Sequence, residues 1–379
     1  MQGELAEREH LIRTRDKWKE RNTMIAERYA RRIKKGLDES HKKAPQIELE
    51  LDKLKLVIFS DHHKGAGDTA DDFRQCEMAY HAAMGYYLES GFTLVDLGDV
   101  EELWENWPRP VLDTYPWTLK LENEFHKKGR YWRFWGNHDD TWSDPSQVPE
   151  YLGQFFDGLE VRESLRLIVK KDTNDLGELY FAHGHQGTLD SDRFGWFSRI
   201  VVRHIWRPIQ RFTNIRTATP ATDWRLRHRH DIAMYNWAAE RQGIILIAGH
   251  THHPVFPTRD RGAQLSLAIE GLQQQRSVAL AAGEEPSEIE STMAETRAEL
   301  EFVRTLEQRL PMDKPCYYNA GCCSFSDGHI TGIEITDGQI KLVIWPNEKG
   351  EPKPRLLDSA DLETLIQEVS MPTAPLALI

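Results

Sequence analysis

Five short apolar runs, each four to six residues long and each followed within two residues by Asp, Asn or His, constrain this 379-residue chain more than any other feature. They are "LKLVIF" (54–59), "FTLVDL" (92–97), "YWRFW" (131–135), "LYFA" (179–182) and "IILIA" (244–248). Runs of this length without polar alternation suit strands covered on both faces. Between the first two lies "DDFRQCEMAYHAAMGYYLESG", whose apolar spacing fits a helix closing at Gly91. Strand–helix–strand alternation predicts an α/β core. Further on, "HITGIEITDGQIKLVIW" (329–345) alternates apolar and polar residues around Asp337-Gly338, a strong hairpin signal. The expected fold is α/β (α+β): a mixed sheet or β-sandwich flanked by helices.

The residues behind the five runs carry the chemistry. The first run leads into Asp61-His62-His63, the second into "GDVEELW" with Asp99 and Glu102, and the third into "GNHDD" with Asn137, His138 and Asp139. The fourth leads into "HGH", His183 to His185, and the fifth into "GHTHH", with His250, His252 and His253. Strand ends of α/β sheets are where sites assemble. Any one of these residues could be a turn or a cap. Five clusters in order are not explained as loop surface. Oxygen and imidazole donors together suit manganese, iron, zinc or a related divalent ion such as nickel or cobalt, and the absence of Cys argues against structural zinc. A central carboxylate can bridge two cations, and Asp99 is the natural candidate. Such a pair activates a bridging water and clamps phosphoryl oxygens during in-line attack.

Other stretches bound the remaining possibilities. The net charge of −12 disfavours nucleic-acid binding by the surface as a whole, and no stretch approaches the roughly 18 apolar residues of a membrane span. The charged start "MQGELAEREHLIRTRDKWKERN" lacks the apolar centre of a secretory signal, and the four cysteines form no CxxC pair. A cytoplasmic setting is expected, with peripheral contact to the inner face of a membrane left open. Residues 1–47 read as a helical arm, with Tyr29, Ile33 and Leu37 on one narrow stripe and Pro45 closing it. The main domain is expected over 48–358. Two helical insertions interrupt it: a cap over 186–243, and a hairpin over 259–315 split by "AAGEEPSE". Residues 359–379 form a C-terminal helix and tail. Self-association through 1–47 or 259–315 is a further option.

The ordered set D-x-H, GDxx(D/E), GNH(D/E), H and GHxH closely resembles the calcineurin-like metallophosphoesterases over roughly residues 52–345. The resemblance implies a β-sandwich phosphoesterase with two divalent ions, manganese first among them, and attack by a hydroxide bridging the two. One ion would take Asp61, His63, Asp99 and His252; the other would take Asp99, Asn137, His183 and His250. His138 would stabilise the phosphoryl oxygens or protonate the leaving group, with Asp139 holding its ring. Glu102 falls where the family has a residue that orients a ligand, and "YYNAGCC" (317–323) matches the family's Asn-x-Gly turn.

The core does not choose among phosphomonoesters, diesters and pyrophosphates, so the insertions must. From Arg193 to Arg229 the cap holds nine arginines, one acid (Asp223) and no lysine, with six aromatics from Phe194 to Trp224 among them. Arg199, Arg203, Arg207 and Arg211 recur every four residues, which on a helix makes one ridge suited to phosphate. Arg199, Arg203, Arg207 and, from the fourth motif, His185 are therefore candidate substrate contacts. "LGDVEELW" is similar to the second motif of UDP-2,3-diacylglucosamine hydrolases, which also insert a basic helical cap. Those enzymes typically carry Arg where this chain has His138 and Asp where it has His185. The favoured substrate is a nucleotide-linked or lipid-linked phosphoester or pyrophosphate. A nuclease acting on single strands along the Arg groove is the alternative, and a non-catalytic metal-bound scaffold the weakest reading, since all seven ligands and His138 are present.

Overall fold

The computed structural model describes residues 24, 26–188, 224–257, 261–282, 285–307, 314–348 and 352–371. A helix over 26–43 (α1) opens this part and stops at Pro45. Strands β1 (Gln46–Glu50), β2 (Lys55–Phe59), β3 (Thr93–Leu97), β4 (Tyr131–Phe134), β5 (Val161–Arg162), β6 (Ser164–Lys171) and β7 (Asn174–Ala182) follow. Helices α2 (Glu77–Glu89), α3 (Pro108–Thr114) and α4 (Pro116–Lys127) connect β2 through β4. After α5 (Trp224–Ala239) come β8 (Ile244–Ala248) and β9 (Pro254–Val255). Helices α6 (Arg261–Ala282) and α7 (Ser287–Glu307) precede β10 (Tyr317–Ala320), β11 (Ile330–Thr336), β12 (Gln339–Trp345), β13 (Arg355–Asp361) and α8 (Leu362–Ser370).

The strands form two mixed sheets, one ordered β13-β12-β11-β2-β3-β4-β5 and the other β1-β6-β7-β8-β10-β9. Because side chains alternate across a strand, one strand feeds two cores. Leu56 and Ile58 of β2, with Val95 and Leu97 of β3, join a cluster with Leu165, Leu179, Phe181 and Ile247 of the other sheet. Their neighbours Val57, Phe59 and Leu94 turn the opposite way, onto Ala79, Tyr80 and Ala83 of α2 and Leu119 of α4. Tyr180, alternate to Leu179 and Phe181, meets Trp237 of α5 and His41 of α1. The architecture is a β-sandwich between helical layers.

All five apolar runs lie on strands, and the pairs β2–β3, β3–β4 and β7–β8 are parallel. The 329–345 hairpin forms as expected, with Asp337 and Gly338 at φ 55° and 70°. The expected stripe of α1 is present: Ile33 and Leu37 are buried in the inter-sheet cluster, with Tyr29 packed against it. The arm thus belongs to the main core from residue 29 onward. Most of the Arg-rich cap, including Arg199, Arg203 and Arg207, lies outside the described residues.

Candidate metal centre

The ends of β2, β3, β4, β7 and β8 converge, and they bring the sequence-predicted ligands together. Asp61 Oδ1 lies 3.2 Å from His252 Nε2, and His63 Nε2 lies 3.0 Å from the same atom. Asp99 Oδ2 lies 3.1 Å from His183 Nε2, and His63 Nε2 stands 3.8 Å from both Asp61 Oδ1 and Asp99 Oδ2. Three sets of donor atoms lie within 4.8 Å of one another: Asp61/His63/His252, Asp99/His183/His250 and, at the rim, His63/Glu102/His138. Asp99 thus adjoins ligands of the first two sets. Asn137 is buried beside them.

Backbone strain gathers here among the described residues. Among the described residues, eight that are not glycine have positive φ. Three of them, Asp172, Thr173 and Asp337, sit in tight hairpin turns. The other five are Asp61, His63, Asp99, His250 and His252, at φ between 51° and 68°. A left-handed residue with a Cβ costs roughly 1–2 kcal/mol, and such strain gathers where function over-determines it.

Backbone amides then divide the work of each carboxylate. The His250 N–H donates to Asp61 Oδ2 and the His138 N–H to Asp99 Oδ1, both at 2.8 Å, which leaves Asp61 Oδ1 and Asp99 Oδ2 turned inward. These loops run so close that a Cβ on Gly136 would stand 2.2 Å from Asp99 Oδ1, and one on Gly249 2.5 Å from Asp61 Oδ2. The glycines of GNH and GHxH are required by contact. The histidines are tautomerically fixed as well. His183 Nδ1–H donates to Leu97 O (2.9 Å) and His63 Nδ1–H to Glu102 Oε2 (3.1 Å), so both turn Nε2 toward the centre.

These donors fit divalent cations. Asn137 Oδ1 and His250 Nε2 are buried without a hydrogen-bond partner, a costly arrangement unless something else satisfies them. Electrostatics point the same way. Burial alone would raise the Asp61 carboxyl, but the nearby His252 and His183 hold it well below its usual range, and His183 and His138 do the same for Asp99. Burial would lower His183, yet Asp99 and Asp61 push it up to about 9. Carboxylates and imidazoles here thus hold one another charged, while burial keeps His250 and His252 below their usual value.

His138 sits at the rim, half-buried. Its ring stacks on Trp104 at 4.3 Å between centroids, and its Nδ1 lies 2.6 Å from Glu102 Oε2. The expected hold of Asp139 on this ring is replaced by that of Glu102. Asp139 turns inward instead and accepts the backbone N–H groups of Gly136, Asp99 and Val100, at 2.6, 3.2 and 2.9 Å. Its carboxylate pins the second and third motifs to each other. The reason is local: the loop after β4 needs its amides satisfied, and a buried carboxylate three residues on does so.

His185 is buried beside the centre, with its ring 5.0 Å from that of Trp135 and 5.4 Å from that of His183. Burial and the charge of His183 lower its pKa to about 3. His62 is fully buried, edge-on to Tyr80 and 3.5 Å from Asp96. Beneath it lie buried ion pairs, Lys64 with Glu122 and Arg133 with Glu101, and Trp142 Nε1–H donates to Glu101 at 2.9 Å.

Two further residues support the fifth motif. Asp231 on α5 accepts from Thr251 Oγ1 (3.0 Å) and Tyr317 O–H (2.7 Å), and Asn319 Nδ2 donates to Gly249 O (2.6 Å). Together they brace the GHTHH loop. Asn319 stood in a matching turn; Asp231 and Tyr317 carried no signal, because their partners are 20 and 86 residues away.

A family model for calcineurin-like phosphoesterases matches residues 54–254, more than half of the chain. No curated protein matches it. Among solved structures, a conserved uncharacterized protein from Streptococcus pneumoniae TIGR4, described as a predicted phosphoesterase, is similar at 12% identity, over 80% of this chain and 97% of that one, with a TM-score of 0.27.

Proposed function

Since this chain belongs to the calcineurin-like phosphoesterase family, we propose that its convergent strand ends form a dinuclear metal centre for hydrolysing a small nucleotide-linked or lipid-linked phosphoester or pyrophosphate. The family makes the chain a metal-dependent hydrolase of phosphoester bonds. The finer reading rests on one observation above the rest: the five strained residues are all proposed ligands, and with His183 they supply the donor sets Asp61/His63/His252 and Asp99/His183/His250, which adjoin at Asp99.

In this reading Asp61, His63, Asp99 and His252 hold one cation, and Asp99, Asn137, His183 and His250 the other. Manganese fits this oxygen and imidazole set, as do iron, zinc, nickel and cobalt. Bound divalent ions supply water activation and a clamp on phosphoryl oxygens. The chain's own residues do the rest. Glu102 raises the His138 pKa against the effect of burial and fixes Nδ1 as its donor atom. His138 Nε2–H is then the proton source for the leaving oxygen, which departs as an alcohol while the ring becomes neutral. Trp104 holds the ring in plane. The inserted cap, with Arg199, Arg203 and Arg207, would take a remote phosphate. The likeness of "LGDVEELW" to UDP-2,3-diacylglucosamine hydrolases supports a nucleotide-linked substrate. No helix among the described residues is long and apolar enough to cross a membrane.

A panel of 4-nitrophenyl phosphate, bis-4-nitrophenyl phosphate, a UDP-sugar and single-stranded DNA, each with added manganese, tests this reading. Preference for the UDP-sugar supports it. Preference for DNA, with activity falling steeply as salt rises, would replace it with the nuclease reading.

A further inference from the structure

A cavity of about 400 Å³ opens beside the centre, between α1 and the loops that follow β4 and β7. That volume is in the range of small-molecule sites. Asn137 and His185 form its inner end, so it is continuous with the proposed ligand set. Its outer wall is α1, the segment for which the phosphoesterase reading has no use.

The wall is built tightly. A Cβ on Gly36 would stand 2.4 Å from Gly187 N, and one on Gly187 only 2.1 Å from Arg32 O. A mid-helix glycine costs about 1 kcal/mol against alanine, and here it lets the helix lie directly on the "HGHQG" loop. A relay reinforces this seating. Tyr29 O–H donates to His230 Nδ1 at 2.6 Å, and His230 Nε2–H donates to Gly184 O at 2.8 Å. The same loop therefore carries His183 into the centre and His185 into the cavity.

The lining tells which ligand fits. Arg32, Lys35 and Lys43 are matched in number by Glu39, Asp140 and Glu163. A site for a second phosphate would need a surplus of cations, and this lining has none. Ser40, Ser143 and Gln186 add groups that both donate and accept, and Trp135 contributes an indole. Mixed donors and acceptors match hydroxyl groups, which do both. An aromatic face suits the C–H surface of a sugar ring or the face of a base.

We infer that this cavity binds the hydroxyl-rich organic part of the substrate, a sugar ring or a nucleoside's ribose, with α1 as the element that selects it. The inference rests on the proposed phosphoesterase centre, since it places that moiety beside Asn137 with its phosphate toward the metal ligands.

The test uses the full chain, freed of metal, and probes that carry no phosphate. Saturation-transfer NMR would compare methyl α-D-glucopyranoside, uridine and, as a control without a polyol, 4-nitrophenol. Transfer to the glucoside identifies the sugar arm; transfer to the ribose protons of uridine identifies the nucleoside arm. Two variants then locate the site: Ser143→Trp, which fills the cavity from an exposed position, and Glu163→Gln, which keeps its shape. Either polyol should bind at least about tenfold more weakly to both variants, the effect of losing one to two net hydrogen bonds. No transfer to either polyol, or equal transfer in wild type and Glu163→Gln, would overturn the inference. Turnover of 4-nitrophenyl phosphate by the manganese-loaded wild type is measured alongside. Turnover without polyol binding overturns the cavity's role alone, and polyol binding without turnover overturns the hydrolytic centre alone.

Discussion

One oxygen of Glu102 accepts from two histidines: Oε2 lies 2.6 Å from His138 Nδ1 and 3.1 Å from His63 Nδ1. The other oxygen is occupied by the Trp104 N–H at 3.1 Å. The charges and hydrogen bonds of His138 and His63 hold the Glu102 carboxyl down to about 2 despite burial. A proposed metal ligand and the proposed proton donor are therefore oriented by a single carboxylate.

Glu102→Gln should consequently damage both functions. A neutral amide accepts these bonds more weakly and no longer offsets the imidazole charges, so metal affinity and kcat should each fall about 10–100-fold, the usual effect of removing such a partner. His138→Ala should lower kcat on alkyl phosphates and spare metal content, with partial recovery on nitrophenyl esters, whose leaving group needs no proton. Metal titration beside steady-state kinetics separates the two. Equal metal loss in both variants would contradict this division.

How much of this could be read beforehand follows from what each residue depends on. Asp61, His63, Asp99, Asn137, His183, His250 and His252 were legible because each lies within four residues of the end of a buried strand, and strand ends converge in this fold. The β1, β6 and β13 strands carry their signal poorly, as in "QIELE", where acids interrupt the apolar positions. The exchange of Asp139 for Glu102 on His138 depends on where a loop after β3 meets one after β4. Sequence spacing does not encode that approach. The seating of α1 against Gly187 is a contact across about 150 positions, invisible until the sandwich closes.

Gly36→Ala tests that seating through stability. The new methyl group would meet backbone atoms of Gln186 and Gly187, which cannot give way as a side chain could. Although alanine is the better helix former, overpacking should dominate and cost about 1–3 kcal/mol. Thermal melts of the two proteins measure it. A melting temperature at or above that of wild type would show that α1 does not lie where described.

Metal binding should release protons. In the metal-free centre His183 has its pKa raised from 6.5 to about 9, so at neutral pH it carries a proton that a cation must displace. Calorimetric titration with manganese in buffers of different ionisation enthalpy counts these protons, and a count of zero would contradict the assignment. The same shift sets a stability trend. A raised pKa stabilises the metal-free fold in full below about 6.5, and that contribution is lost as pH rises through about 9. The metal-free melting temperature should fall across this window, and bound metal should remove the dependence.

The central claim is that two cations share Asp99, and elemental analysis of Asp99→Asn beside wild type addresses it most directly. The carboxylate keeps one oxygen on the His138 amide and turns the other toward His183 and His63. Asparagine preserves that shape and removes the charge, so the chain should fold as wild type does. After manganese loading and desalting, wild type should carry two ions per chain and turn over 4-nitrophenyl phosphate. Asp99→Asn should carry one or none and lose that activity. Retention of two tightly bound ions with wild-type turnover in Asp99→Asn would contradict the shared-carboxylate centre.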